Sequence, residues 1–383
     1  MAKTRHIFRW DLDKTYLKTE FATFSDLVRT ARLTAEQREN IPGSAALIRA
    51  IRHAQGEGNE HLVFFISGSP EQLRSVLEKK FSLDGFHPDG FVLKPTVSNI
   101  LRGRFRAVKG QVGYKLHQLV AGRSDAPIGT KETLFGDDAE SDAYIYSLYA
   151  DLVAGNVSHD QLVKILAKAG AYRTQVDDVE AALEAVVHED PVRRIIIHLD
   201  QHTPPVAFQT FFPRVVPIYN HLQTALVLVL DGTLTASCVQ RVAWELLDRY
   251  GFEEERLVNL AEDILRRRRA YLGPQALEAL AAQLELLGEP DDPEPAHTKS
   301  EDELARQTRS FMTKLVEVAR HLESRPRPDA PPRETKRDYL ALWEQERLRQ
   351  EEAKRARKLA AKISRDEERQ RAREAKELAK RGA

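Results

Sequence analysis

Asp11-Leu12-Asp13-Lys14-Thr15 directly follows the short run His6-Ile7-Phe8-Arg9-Trp10, and this junction decides how the chain is read. The run has the length and composition of a buried strand, so two carboxylates two residues apart stand at its C-terminal end. Alternate residues of a strand point the same way. A turn after the strand relaxes that rule and can aim Asp11 at a substrate and Asp13 at its leaving group. In a parallel α/β sheet this edge is where ligands bind. Acidic turns after strands are common, however, so the pair acquires meaning only from three further segments.

The first of these, Leu62-Val63-Phe64-Phe65-Ile66-Ser67-Gly68-Ser69-Pro70, is a buried-strand run ending in a hydroxyl and a glycine turn. Pro70 suits the first position of a helix, Ser69 suits its cap, and Ser67 and Gly68 are then left to hold phosphate oxygens. The second, Gly113-Tyr114-Lys115-Leu116, places a lysine at the start of a helix. Lys94, after another strand, is a rival that fits the spacing less well. The third, Leu134-Phe135-Gly136-Asp137-Asp138-Ala139-Glu140-Ser141-Asp142, is a strand followed by glycine and four acids. Several carboxylates without cysteine or paired histidine make a hard oxygen site suited to Mg²⁺. One carboxylate can attack phosphorus, while a lysine and a serine neutralise the phosphoryl oxygens. Asp138 and Glu140 also read as first-turn acids favoured by a helix dipole. Whether Asp138 or Asp142 completes the metal set stays open.

Working outward, strands are expected at Ile7–Trp10, His61–Ser67, Gly90–Leu93, Thr133–Phe135 and Arg194–Leu199, with helices at Ser44–Gln55, Pro70–Phe81, Gly113–Ala121, 141–150 and 158–187. That alternation predicts an α/β fold, a Rossmann-like parallel sheet with helices on both faces. Leu17–Asn40 is expected to form a small, partly helical cover, too short for a cap domain. The expected divisions are a catalytic domain over 1–204, a mostly helical accessory region over 205–288, a Pro/acid-rich linker with one helix over 289–335, and a charged helical or disordered tail over 336–383. Leu226–Thr235 contains Asp231-Gly232-Thr233 and imitates a second Asp-x-Asp-Gly-Thr motif, but Val229 replaces its first acid. It is read as a structural turn. His6, His53, His198 and His202 are dispersed without ligand spacing.

The four segments together resemble the motifs of the haloacid dehalogenase-like phosphohydrolases. Ile66–Gln72 and Gly136–Tyr146 more narrowly resemble the fungal actin-patch phosphatidate phosphatases, over roughly residues 5–200. The resemblance implies Asp11 as nucleophile and Asp13 as general acid and then base. It also implies Mg²⁺ held by Asp11, Asp13 (through its main-chain carbonyl) and Asp137, with Asp142 beside them. Lys14 stands where that family commonly has Asp or Gly, Gly68 where it has Asn, and Asp138 where it has Ser. Phosphoryl transfer survives these departures better than lipid specificity does.

Composition narrows the function classes. In 383 residues, 58 Lys+Arg balance 58 Asp+Glu, so no global field draws the molecule to nucleic acid or membrane. The one cysteine, Cys238, excludes disulfides and thiolate metal clusters within the chain. With no signal-like or membrane-spanning run, the expected location is the cytoplasm. The expected function is that of a phosphomonoester hydrolase acting on a phosphorylated lipid, small molecule or macromolecule. A catalytically vestigial scaffold and a polynucleotide-end or nucleotide phosphatase are the alternatives. The charged tail leaves a peripheral membrane or nucleic-acid contact open.

Overall fold

The structure, a computed structural model, describes residues 4–19, 33–54, 59–94, 111–288, 298–330 and 336–353, with isolated positions up to 370. Six strands form one all-parallel sheet: β1 (Thr4–Asp11), β2 (Asn59–Pro70), β3 (Gly90–Lys94), β4 (Lys131–Asp137), β5 (Val192–His198) and β6 (Val215–Ile218). Their order is β3-β2-β1-β4-β5-β6. The chain winds outward from β1 to β3, returns to β4 on the other side of β1, and winds outward again. β1 and β4 therefore flank the switch point, where connections leave in opposite directions and a crevice opens at the strands' carboxyl ends. Asp11 closes β1 and Asp137 closes β4, so both acids stand at that crevice.

Strand alternation sorts side chains to two faces. Phe8, Trp10, Phe135, Ile196 and Val216 belong to one hydrophobic cluster with α1 (Ser44–His53) and with α7 (His221–Leu230), α8 (Ser237–Asp248), α9 (Glu254–Arg268), α10 (Ala276–Glu285) and α11 (Glu301–Ser324). Trp10 stacks on Phe135 with centroids 3.8 Å apart, locking β1 to β4 immediately below the crevice. Arg9 points the other way. It donates to the Gly122 carbonyl (2.8 Å) of α3 (Gln111–Ser124) and pairs with Glu132 (3.1 Å), which also accepts from Tyr149 of α4 (Asp142–Val153). α5 (His159–Lys168) and α6 (Arg173–Leu183) follow in the chain. A capping box at Ser158 and Gln161 starts α5.

The five strands read from sequence are present, and a sixth was missed. Val215-Val216-Pro217-Ile218 is too short and too close to prolines to read as a strand, yet it pairs with β5 as an edge, where proline is tolerated. Across residue 204 the structure is continuous: β6 belongs to the same sheet, helices α7–α11 share one hydrophobic cluster with its strands, and Met1–Lys336 forms one compact unit. The apolar stretch Ala225–Leu230 lies in α7, whose residues from His221 to Val229 are all buried. The decoy at Leu226–Thr235 is therefore helix followed by a turn at Gly232 (φ 67°), and Asp231 pairs with Arg194 at 2.5 Å.

Of the expected cover, 20–32 lie outside the described residues. Its two ends zip together: Lys18 donates to the Glu39 carbonyl (2.9 Å), Ile41 to that of Tyr16 (2.9 Å). The linker segments 289–297 and 331–335 are likewise outside. In the second unit, Arg337–Ala383, residues 339–353 are helical and carry local pairs such as Arg347 with Glu344 and Glu351. Among the described residues no helix is long and apolar enough to cross a membrane.

Candidate active site

The turn after β1 is built from its own main chain. Lys14 N donates to the Leu17 carbonyl (2.7 Å), and Tyr16 N and Leu17 N donate to the Leu12 carbonyl (3.1 and 2.9 Å). Closing so tight a turn puts Lys14 at φ 61°, the left-handed region that costs a non-glycine residue about 1–2 kcal/mol. Glycine adopts this conformation freely, and Asn or Asp more readily than lysine. Lys14 is held instead by an ion pair with Asp200 at 3.2 Å. Asp13 leaves the turn toward β2, where its Oδ2 accepts from Ser69 Oγ (3.0 Å) and, at longer range, from Ser67 Oγ (3.4 Å).

The hydroxyls are arranged differently from the expectation. β2 runs on to Pro70, a 3₁₀ turn follows at Glu71–Leu73, and α2 begins only at Arg74 (Arg74–Leu83). Ser69 caps no helix; the extended Ser69–Pro70 backbone frees its hydroxyl to hold Asp13. Ser67 is fully buried and its Oγ accepts from Ser69 N at 3.0 Å. A Cβ added to Gly68 would meet nothing within 4 Å, so this turn is open to an incoming group.

Lys115, on α3, projects its ammonium into the crevice. It lies 3.2 Å from Asp11 Oδ1, 2.7 Å from Glu140 Oε2 and 2.6 Å from Asp142 Oδ1. Its rival Lys94 instead sits over the Tyr114 ring, 5.4 Å from the centroid. Asp142 opens α4 and reaches back over β4, its Oδ2 accepting from Asp137 N at 3.2 Å. Gly136 permits this: a Cβ there would lie 2.5 Å from Asp142 Cβ and 2.7 Å from its Cγ. Asp137 Oδ1 accepts from Ala139 N (2.6 Å) and Glu140 N (3.1 Å), fixing the turn into α4.

Asp138 points away from this cluster. Its carboxylate accepts from Gln201 N (2.7 Å) and Thr203 N (3.0 Å), so it tethers the loop after β5. Of the two acids left open by sequence, Asp142 faces Lys115 and Asp138 does not. Asp11, Glu140 and Asp142 each place an oxygen within 4.8 Å of the others. Asp137 and Asp13 lie outside that trio, and Glu140, read as a first-turn acid, lies within it. Only its proximity to Lys115 in space reveals it.

The site carries more negative than positive charge. Burial, reinforced by neighbouring carboxylates and opposed by Lys115, pushes Asp11 and Asp137 well above the ordinary carboxylate range and Asp142 to about 6. Burial also raises Asp13, while the Ser69 hydrogen bond acts against it. Burial alone would lower Lys115, but Asp11, Asp142 and Glu140 hold it well above its usual value. Among the described residues, the buried Asp11 Oδ2 and Asp137 Oδ2 have no hydrogen-bond partner. Orphaned buried oxygens are costly, and an all-oxygen donor set with excess negative charge suits a hard divalent cation. The residues present fit such an ion.

Residues 10–159 match the family model of the phosphatidate phosphatase APP1 catalytic domain. The APP1-like segment is less than half of the chain. It holds Asp11, Asp13, Ser67, Lys115, Asp137, Glu140 and Asp142, and it ends before β5 and β6. The match points to a phosphatase. No curated protein and no solved structure matches the chain.

Proposed function

We propose that this protein is a Mg²⁺-dependent phosphatase of the haloacid dehalogenase-like type. It hydrolyses a phosphomonoester, phosphatidate-like in headgroup, through an aspartyl-phosphate at Asp11. The observation that carries this reading is the pairing at the switch point of a buried carboxylate, one oxygen on Lys115 and the other without a partner among the described residues, with further carboxylates beside it.

Asp11 attacks phosphorus as the bond from phosphorus to the leaving oxygen breaks, and Asp13 transfers its proton to that oxygen. Burial favours protonated Asp13, and Ser69 and Ser67 orient it. Lys115, Ser67 and the open turn at Gly68 hold the phosphoryl oxygens. In the second half Asp13 takes a proton from water as the water oxygen attacks phosphorus. The bond to Asp11 then breaks and phosphate departs. Asp11, Asp142 and Glu140, with Asp137 beside them, would hold Mg²⁺, which supplies charge stabilisation for the phosphoryl group.

Turnover of p-nitrophenyl phosphate and of phosphatidate in mixed micelles, with and without Mg²⁺, tests the reading. Asp11→Asn should reduce kcat at least about 1,000-fold. Mg²⁺-independent turnover, full activity of Asp11→Asn, or no turnover of any phosphomonoester would overturn it. Cleavage of small phosphomonoesters alone would remove the lipid part.

A further inference from the structure

Two histidines grip the main chain of the Asp11–Thr15 turn from outside the APP1-like segment. His198 ends β5 and its Nδ1 lies 2.7 Å from the Lys14 carbonyl oxygen. His221, the first residue of α7, places Nε2 3.0 Å from the Thr15 carbonyl oxygen. Both are buried, and their rings stack with centroids 6.2 Å apart. Thr224 Oγ1 lies 3.4 Å from His221 Nδ1, so that nitrogen can accept while Nε2–H donates to Thr15. His198 also accepts at its own carbonyl from Asp138 N (3.0 Å), which joins the turn after β1 to the acidic turn after β4. Asn220 fixes where His221 sits, its side chain accepting from Leu222 N and Gln223 N at the start of α7.

The two carbonyls belong to the residues immediately after Asp13, one of them in the left-handed conformation. A turn that holds a non-glycine residue in the left-handed region keeps that shape only when its surroundings over-determine it. We infer that His198 and His221 are positioning residues: together they clamp the Lys14–Thr15 backbone so that Asp11 and Asp13 stay aimed into the crevice. The chain beyond the APP1-like segment thereby completes the site rather than merely adjoining it. This rests on the phosphatase reading for its kinetic arm only.

The test compares His198→Leu and His221→Met, which remove the N–H, with His198→Asn and His221→Gln, which return an N–H near the same position. In the full chain with Mg²⁺, the apolar variants should lower kcat on p-nitrophenyl phosphate at least tenfold with KM within twofold. The amide variants should recover most of that loss. Hydrogen exchange of a peptide spanning Leu12–Leu17 should accelerate at least tenfold in the apolar variants, with β3 peptides unchanged, and return toward wild type in the amide variants. The exchange arm needs no enzymatic activity, so it decides the clamp even if the wild-type chain turns over nothing. Unchanged exchange in both apolar variants, or apolar and amide variants equally impaired, would overturn the inference. If one apolar variant fails to fold, the other histidine's pair carries the decision.

Discussion

Gly136→Ala tests how the acidic turn is packed. The new Cβ would lie 2.5 Å from Asp142 Cβ and 2.7 Å from its Cγ, so the start of α4 must shift. Forced overpacking costs about 1–3 kcal/mol. The shift also loosens the bond from Asp137 N to Asp142 Oδ2, and a hydrogen bond to a charged group is worth about 1.5–3 kcal/mol. Taking about 3 kcal/mol in total, and about 2.1 cal/mol/K of unfolding entropy per residue over the unit Met1–Lys336, Tm should fall by about 4 °C. In an Asp142→Gly background the atoms that clash are gone, and Gly136→Ala should lower Tm by less than about 1.5 °C. Thermal unfolding of wild type, both single variants and the double variant closes the cycle. Non-contacting sites add within about 0.5 kcal/mol. Equal costs of Gly136→Ala in the two backgrounds would refute the claim that this glycine exists to admit Asp142.

Other expectations follow from the same site and from the strand beneath it. Lys115→Met removes the ion-pair partner of Asp11 and Asp142. Breaking a buried pair costs about 3–5 kcal/mol, so Tm should drop by several degrees and added Mg²⁺ should recover part of it; a Tm unchanged by the substitution would contradict the pairing. Glu140→Gln keeps Asp11 and Asp142 but weakens the trio, and the Mg²⁺ concentration for half-maximal turnover should rise about tenfold with kcat at saturation within threefold. His6, buried against Thr133, has its pKa lowered by burial from 6.5 to about 3. The folded state therefore resists protonation that the unfolded chain accepts below pH 6.5, and stability falls as pH drops from there toward 3. At pH 5 this amounts to about 2 kcal/mol. The Tm gap between pH 8 and pH 5 should accordingly be about 3 °C smaller in His6→Asn, and an identical gap would refute it.

Five strands, the parallel class and the order of the chemical segments were legible because each depends on local pattern. An apolar run five or six residues long that ends in a glycine or acidic turn has few other folds open to it. β6 was hidden because four residues containing a proline carry no periodicity. α7 carries no helical period in its sequence, because a helix buried all round shows no polar face to set one. Composition changes near residue 204, but the sheet and the hydrophobic cluster run on across it.

Residue type and a two-residue or three-residue spacing are properties of the chain, so the kinds of group at the candidate site and the strand ends that bear them could be read from it. The sequence named Asp11, Asp13, Ser67, Lys115, Asp137 and Asp142 without distances. Only the tertiary structure decided that Asp142 rather than Asp138 faces Lys115, that Glu140 joins Asp11 beside it, and that Ser69 holds Asp13 instead of capping a helix. It alone brought His198 and His221 to the carbonyls of Lys14 and Thr15, residues more than 180 positions away. Those outcomes depend on where the crossover connections deliver each strand end and helix start, and on which side chain fits beside a glycine. Neither is written in any one stretch of the chain.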